Sequence, residues 1–95
     1  MNGAVLTRAD LSNSELFGAT LANVDARSAN FSGAEVNASN LSNGDFRSAR
    51  FRGTALDGAR LREGQFARAD FTGASLNRTD IRGVDLSSAR GLTQD

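Results

Sequence analysis

The sequence predicts a solenoid in which each five-residue repeat forms one short side of a coil. An apolar residue recurs at every fifth position, a small or β-branched residue stands two positions before it, and turn-forming residues follow it. A period of five fits neither the apolar stripe of an α-helix, which recurs at three and four, nor the two-residue alternation of a β-strand. Internal repetition of this kind decides the architecture before any local propensity does.

Apolar residues occupy the centre of every repeat without a gap. The seventeen centres are Leu6, Leu11, Leu16, Leu21, Ala26, Phe31, Val36, Leu41, Phe46, Phe51, Leu56, Leu61, Phe66, Phe71, Leu76, Ile81 and Leu86. Only 39% of the chain is hydrophobic, so composition alone does not produce an unbroken series of this length. We therefore expect the centres to point inward and form a continuous core.

The residue two positions before each centre is expected to point inward beside it. Its size varies inversely with the size of the centre. Gly44 precedes Phe46, where an aromatic ring needs room, and Val24 precedes the one small centre, Ala26. Compensation of this kind is expected of a core packed to near crystal density.

The two remaining positions of each repeat are predicted to form a corner of the coil. Residues that tolerate left-handed backbone conformations stand there, namely Gly18, Gly33, Gly53, Gly58, Gly73, Gly83, Asn13, Asn23 and Asn43. The chain contains no proline, so every backbone N–H is available for stacking between coils.

The period does not give the number of sides in a coil, but the phenylalanines indicate four. Phe31, Phe51 and Phe71 are twenty residues apart, and so are Phe46 and Phe66. With four sides, these five rings lie on two of them, and the other two sides hold only Leu, Val and Ile centres.

Repeats such as residues 9–13, 29–33 and 69–73 resemble the A-(D/N)-(L/F)-x-x unit of the pentapeptide repeat family. The resemblance covers about residues 4–90. It implies an all-β fold, a right-handed quadrilateral parallel β-helix with twenty residues per coil, and the seventeen repeats then make about four coils. It also implies a division into a β-helix over residues 1–90 and a C-terminal tail, residues 91–95, that leaves the last coil.

The side-chain inventory argues against catalysis. The chain has no His, Cys, Lys or Tyr, which supply most general bases and activated nucleophiles. Paired carboxylates would need a cleft, which a convex rod does not offer. Asp25 over Asp45 and Glu15 over Glu35 are interpreted as surface ladders, since two carboxylates on a convex face hold a cation weakly. We therefore expect that the protein is not an enzyme and that it binds neither a cofactor nor a metal.

The composition also limits where the protein is expected to act. Ninety-five residues fit one domain, and the absence of cysteine excludes a disulfide framework. No apolar run reaches the length of a membrane span or of a signal peptide's apolar region, and the repeats begin directly after Met1. These features predict a cytoplasmic protein without a membrane partner.

Eleven arginines balance eleven carboxylates, but the first 46 residues carry a net charge of −3 and the remainder +3. In a twenty-residue register, Arg50, Asp70 and Arg90 form an alternating column. Arg60 likewise lies over Asp80. These neighbours are predicted to form ion pairs between coils, each worth less than about 1 kcal/mol.

Two surface features are candidate partner contacts. One is a group of arginines on adjoining sides of the third coil, which suits an anion or an acidic partner: Arg47, Arg50, Arg52, Arg60 and Arg62. It lacks interleaved aromatic residues, so nucleic acid is not an expected partner. The other is Phe17, which follows a centre and should face solvent. It marks a chance exposure, or a contact with a partner, a second copy or an upstream cap. Together with Val5 and Ala22 it predicts an apolar exterior for the first coil.

The ends of the rod are predicted to favour self-association. Neither end carries a convincing helical cap, and open sheet edges invite pairing with another chain. A homo-oligomer through the coil ends or the Phe17 surface is therefore expected, and the opposite charges of the two halves favour head-to-tail contact.

The predicted function is a non-catalytic structural or protein-interaction scaffold, whose protein partner the sequence does not name. The family resemblance supplies the alternative, because some members imitate DNA, engage bacterial gyrase and protect it from quinolones. Duplex DNA presents about one charge per 1.7 Å. The most acidic side here carries only Glu15, Glu35 and Asp57, opposed by Arg78. Gyrase modulation is thus the second interpretation.

Overall fold

The computed structural model describes residues 2–91 as a stack of twenty-residue coils. Among these residues, thirteen parallel β-bridges each join one residue to the residue twenty positions later, as Val5 joins Asp25 and Asp25 joins Asp45. The β structure consists of these isolated bridges, and the described part of the chain contains no helix, hence none that could cross a membrane. The predicted register is confirmed. Of the predicted tail, only Gly91 is described, and residues 92–95, like Met1, lie outside.

The β-helix formed by the stacked coils has four sides, which we number by their centre residues. Side 1 holds Leu6, Ala26, Phe46, Phe66 and Leu86. Side 2 holds Leu11, Phe31, Phe51 and Phe71. Side 3 holds Leu16, Val36, Leu56 and Leu76. Side 4 holds Leu21, Leu41, Leu61 and Ile81. Because residues ten positions apart are half a coil apart, sides 1 and 3 lie opposite each other, as do sides 2 and 4.

Backbone hydrogen bonds between coils use most of the N–H groups in each repeat. The centre donates to the following coil, as the Phe31 N–H does to the Arg50 carbonyl at 2.7 Å. The residue before the centre donates to the preceding coil, as Asn30 does to Ala9 at 2.9 Å. The corner residue also donates forward, and one further bond closes the turn, from the Ala34 N–H to the Phe31 carbonyl at 3.0 Å. One N–H in each repeat, on the residue after the centre, is left without a backbone acceptor.

The second residue after every centre from Leu6 to Ile81 has a left-handed backbone. All nine glycines and asparagines predicted at corners have positive φ angles, which confirms that assignment. The same conformation is imposed on residues with no preference for it, namely Arg8, Ser28, Ala38, Ser48, Glu63, Arg68 and Arg78, whose φ angles lie between 58° and 63°. A left-handed residue with a Cβ costs about 1–2 kcal/mol. Stacking of the coils therefore overrides the local preference at these seven corners.

The core runs along the axis of the β-helix and is built from the predicted centres. Every centre from Leu21 to Phe71 is at most 1% exposed. The rings of Phe31, Phe51 and Phe71 stack almost parallel on side 2, with centroids 5.1 and 5.2 Å apart. On side 1, Phe46 stacks on Phe66 at 5.1 Å, and the two columns meet at tilted angles.

The predicted size compensation is confirmed by the space around two glycines. A Cβ added at Gly64 would lie 2.6 Å from the ring of Phe66. A Cβ added at Gly44 would collide with the ring of Phe46. Both rings therefore occupy the volume that a side chain two residues earlier would need.

Two polar residues lie within this core without an energetic penalty for unmade hydrogen bonds. The Ser39 hydroxyl donates to the Leu16 carbonyl and the Thr54 hydroxyl to the Phe31 carbonyl, each at 2.6 Å. A carbonyl oxygen has two lone pairs, so it accepts this bond as well as the N–H that closes the turn. Small hydroxyl residues can therefore replace alanine at the inward position before a centre.

The core is less covered towards both ends of the described residues. The first-coil centres Leu6, Leu11 and Leu16 are only partly buried, and Ile81 is 46% exposed. On side 1 the last coil also separates from its neighbour, since no bridge joins Gln65 to Asp85. The buried Phe66 N–H consequently has no hydrogen-bond acceptor within residues 2–91, whereas its counterparts in the inner coils donate to the coil that follows.

Candidate functional site

Outward-facing Asp and Asn side chains satisfy the backbone N–H that stacking leaves unpaired. The Ser12 N–H donates to the Asp10 carboxylate, and the Ser32 N–H donates to the Asn30 side-chain oxygen, both at 3.0 Å. The same contact is made by Asn40, Asp45, Asp70, Asp80 and Asp85. Because of this bond, each carboxylate or amide points along its own coil, towards the corner that follows it, and not across to the next coil. It also gives a physical reason for Asp or Asn at this place in the repeat.

The orientation of these carboxylates overturns the predicted ion pairs between coils. The backbones are neighbours as expected, since Arg50 bridges Asp70, Asp70 bridges Arg90, and Arg60 bridges Asp80. None of these pairs has a nitrogen–oxygen distance within 4.0 Å, so the prediction of direct ion pairs was wrong. The carboxylates point along the chain rather than across to the bridged residue.

Asp70 and Asp80 pair instead with arginines that directly follow a centre. Asp80 lies 2.7 Å from Arg82 of its own coil and 3.6 Å from Arg62 of the preceding coil. The hydrogen bond from Arg82 is the main cause that lowers the pKa of Asp80 to about 2. Asp70 likewise has Arg52 at 3.7 Å. The sequence signal for the contact within one coil is an Asp followed two residues later by Arg, which the twenty-residue register did not reveal.

The most connected of these pairs form a ladder on side 1, which we call the Asp–Arg ladder: Asp25, Arg27, Asp45 and Arg47. The Arg27 Nε lies 2.8 Å from Asp25 and 3.8 Å from Asp45, and an Arg47 Nη lies 2.6 Å from Asp45. Hydrogen bonds from the arginines lower the pKa of both carboxyl groups. Arg27 and Arg47 stack like charge on like, and the interleaved carboxylates hold them in place.

The structure separates the five arginines of the predicted contact group. Arg47 lies on side 1 within the Asp–Arg ladder, and Arg50 and Arg52 lie on the adjoining side 2. Arg60 and Arg62 lie on side 4, which faces away from side 2. The group therefore forms two separate basic surfaces, one at the edge of sides 1 and 2 and the other on side 4.

Phe17 and Val5 are exposed as expected, at 73% and 76%. They lie on sides 3 and 1, which are opposite, and Ala22 lies on side 4. The predicted apolar exterior of the first coil is therefore not one patch. Phe17 remains an isolated apolar side chain on the side that also carries the bridged Glu15 and Glu35.

The acidic side chains do not converge in larger groups. Within residues 2–91, no three His, Cys, Asp or Glu side chains are grouped so that they could hold a metal ion.

Four-sided coils of twenty residues, phenylalanine columns and Asp or Asn caps define the class of quadrilateral β-helix proteins. The family model for pentapeptide repeats matches the sequence in eight copies, over residues 4–43, 29–63 and 49–87. The chain belongs to the pentapeptide repeat family.

Solved structures agree with this assignment. The chain is similar to Rfr23, a pentapeptide repeat protein from the cyanobacterium Cyanothece 51142, at 25% identity and a TM-score of 0.91, over 95% of this chain and 62% of that one. It is similar to alr5209, a pentapeptide repeat protein from Nostoc Pcc 7120, at 27% identity and a TM-score of 0.67, over 99% of this chain and 75% of that one.

A third similar structure is QnrB1, a plasmid-mediated fluoroquinolone resistance protein, at 23% identity and a TM-score of 0.79, over 94% of this chain and 54% of that one. At this identity the likeness shows the fold alone. No curated protein matches the sequence. The predicted right-handed quadrilateral parallel β-helix is thereby confirmed.

Proposed function

We propose that the protein is a non-catalytic scaffold that presents fixed side chains on its flat sides to a protein partner. The observation that carries this proposal is the Asp–Arg ladder, in which four charged side chains hold one another in place. Such groups lose little further freedom when a partner binds, and binding to a pre-organised surface costs less entropy.

The sides differ enough in chemistry to serve as separate contact surfaces. Side 3 carries the Glu15–Glu35 pair beside the exposed Phe17. Side 2 carries Arg50 and Arg52, and both surfaces rest on the same buried core. A partner that recognises one side is therefore expected to be insensitive to changes on the opposite side or on a side that it does not touch.

Affinity capture with matched surface variants tests the scaffold proposal. The wild-type chain, Phe17→Ser on side 3, and Arg27→Ser with Arg47→Ser in the Asp–Arg ladder of side 1 are immobilised, and bound proteins are quantified. We expect a protein that the wild-type retains in stoichiometric amounts and that one variant loses, while both variants keep the wild-type melting temperature. Capture that is equal for all three chains, or turnover of a substrate by the purified protein, would contradict the proposal.

Self-association is part of the same proposal, through the coil ends or the Phe17 surface. Sedimentation velocity over a range of concentrations measures it directly. We expect Phe17→Ser to weaken association without lowering the melting temperature, because the ring is exposed and contributes nothing to the core. A variant that lowers both properties equally would show that Phe17 is part of the fold.

Gyrase modulation is the alternative, and the distribution of charge disfavours it. Asp25 and Asp45 on side 1 and Asp80 on side 4 are paired with arginines rather than arranged as an unbroken acidic stripe. We expect gyrase to supercoil DNA at its normal rate when this protein is titrated to a large excess. Inhibition would replace the scaffold proposal with topoisomerase modulation.

A further inference from the structure

A groove at the edge between sides 1 and 2 collects three arginines that form no salt bridge with a carboxylate of residues 2–91. It is lined by Ser28, Ser48, Arg50, Arg68, Asp70 and Arg90. We propose that this groove, here called the phosphate groove, binds a phosphate monoester. The proposal is independent of the scaffold function, since it concerns a ligand and not a protein partner as such.

Three guanidinium groups in the groove are not neutralised. Arg50, Arg68 and Arg90 have no carboxylate oxygen within 4.0 Å among residues 2–91, in contrast to the arginines of the Asp–Arg ladder. Positive charges gathered without counter-charges repel one another, and an anion placed between them removes this repulsion.

The one carboxylate of the groove, Asp70, makes its hydrogen bonds along side 2 and forms no salt bridge with the groove arginines. Oδ1 of Asp70 accepts the Thr72 N–H at 3.0 Å and the Thr72 hydroxyl at 2.5 Å, and Oδ2 lies 3.7 Å from Arg52. These contacts draw the carboxylate along side 2, away from Arg68 at the preceding corner. Asp70 is therefore already engaged elsewhere and does not close the groove by pairing with its arginines.

The charge of the groove matches one ligand class. Three arginines and one aspartate leave a net charge of +2. A phosphate monoester carries about −1.5 to −2 at pH 7, with acceptor oxygens that suit the forked donors of arginine. Ser28 and Ser48, which also line the groove, add hydroxyl donors. A phosphodiester, with a single negative charge, would leave the groove unbalanced.

The sequence predicted the column of Arg50, Asp70 and Arg90 but not the addition of Arg68, because Arg68 belongs to another side. Arg68 is a left-handed corner residue of side 1, whereas Arg50 and Arg90 precede centres of side 2. Only the twist of the corner brings them to one groove. The predicted group of five arginines contained Arg50 but neither of the other two.

Titration followed by amide and arginine NMR signals tests the proposal. Inorganic phosphate, a short phosphoserine peptide and the same peptide without phosphate are the probes. We expect saturable shifts at the groove with both phosphate-bearing probes and none with the bare peptide. A peptide that binds tighter than inorganic phosphate identifies a phosphorylated protein segment as the source, and equal affinity identifies a small phosphate ester.

Two variants show whether the groove itself is the site. Arg68→Ala should weaken phosphate binding by about tenfold, since it removes one charge-assisted contact. Arg78→Ala is the matched control and should leave the affinity unchanged, because Arg78 is also an exposed, left-handed corner residue, with φ of 58° against 62° at Arg68. Equal affinity in the Arg68→Ala variant, or no saturable shift at about 20 mM phosphate, would overturn the proposal.

A gain of affinity is the more decisive result, because a damaged fold does not produce it. Asp70→Asn removes the one negative charge and keeps the acceptor for the Thr72 N–H, as Asn30 shows for Ser32 at the same place on side 2. We expect this variant to bind phosphate about three- to tenfold tighter at low ionic strength, with the difference shrinking as salt is added. An unchanged or lower affinity would contradict the proposed electrostatics.

Discussion

Truncation of Phe51 to alanine should remove a large part of the stability of the whole rod. The ring is fully buried. It is stacked between Phe31 and Phe71, at 5.1 and 5.2 Å, and tilted against Phe46 and Phe66, at 5.8 and 5.9 Å. Phe51 therefore joins the two aromatic columns, and no exposed residue has a comparable role.

The expected cost follows from these contacts. Phe→Ala changes in protein cores cost about 3–5 kcal/mol, and each aromatic pair contributes about 0.5–1.5 kcal/mol beyond the area it buries. With four such pairs lost, we expect a value near the top of the first range, about 5 kcal/mol. Domains of this size have total stabilities of about 5–15 kcal/mol, so Phe51→Ala will be close to unfolding at room temperature.

Guanidinium denaturation followed by circular dichroism measures this cost. Phe51→Leu keeps the site apolar and should cost about 1–2 kcal/mol, which secures a measurable value if the alanine variant does not fold. Phe17→Ala is the matched exposed control and should change the free energy of unfolding by less than about 0.5 kcal/mol. A midpoint for Phe51→Ala within error of the wild-type, or costs that are equal at Phe51 and Phe17, would refute the inward assignment of the centres.

Three further results are expected. The folded pKa of Asp80, about 2, lies below its usual value. The contribution of ionised Asp80 to stability is therefore present above about pH 4 and is lost as the pH falls towards 2. An NMR titration should place the midpoint of Asp80 near 2, and a midpoint near 3.9 would refute the pairing with Arg82. Ala38→Gly should raise the free energy of unfolding by about 0.5–1 kcal/mol, because glycine adopts the left-handed corner without strain, and a loss of stability in denaturant titrations would contradict this. The Phe66 amide should exchange with deuterium faster than the Phe46 amide, which donates to the Gln65 carbonyl at 2.8 Å, and equal protection would mean that the last coil is closed on side 1.

The core could be predicted from the sequence because packing leaves it few alternatives. A period of five residues requires regular corners, and the phenylalanines at spacings of twenty indicate four sides. The exchange of volume between Gly44 and Phe46 then distinguishes inward from outward positions. Each of these inferences depends on side chains that face a single shared interior, where a wrong register would leave voids or collisions.

The surface could be predicted less well, because a register places backbones and not side-chain ends. Asp70 and Arg50 are backbone neighbours, as expected, but Asp70 turns to the Thr72 N–H instead. Stacking leaves that N–H without a backbone acceptor. A hydrogen bond to it stabilises the chain more than a solvent-exposed ion pair does. The same local rule explains why Arg82, rather than Arg60, holds Asp80.

The central claim is that residues twenty positions apart lie side by side, since the core, the Asp–Arg ladder and the phosphate groove all depend on it. The chain contains no cysteine, so introduced pairs are free of background reactions. Glu35 and Ala55 are bridged on side 3, at a spacing that suits a disulfide. We predict that Glu35→Cys with Ala55→Cys forms an intramolecular disulfide in air, detected by mass spectrometry, and that Glu35→Cys with Asp45→Cys, on opposite sides, does not. A disulfide in the second variant and none in the first would contradict the twenty-residue coil.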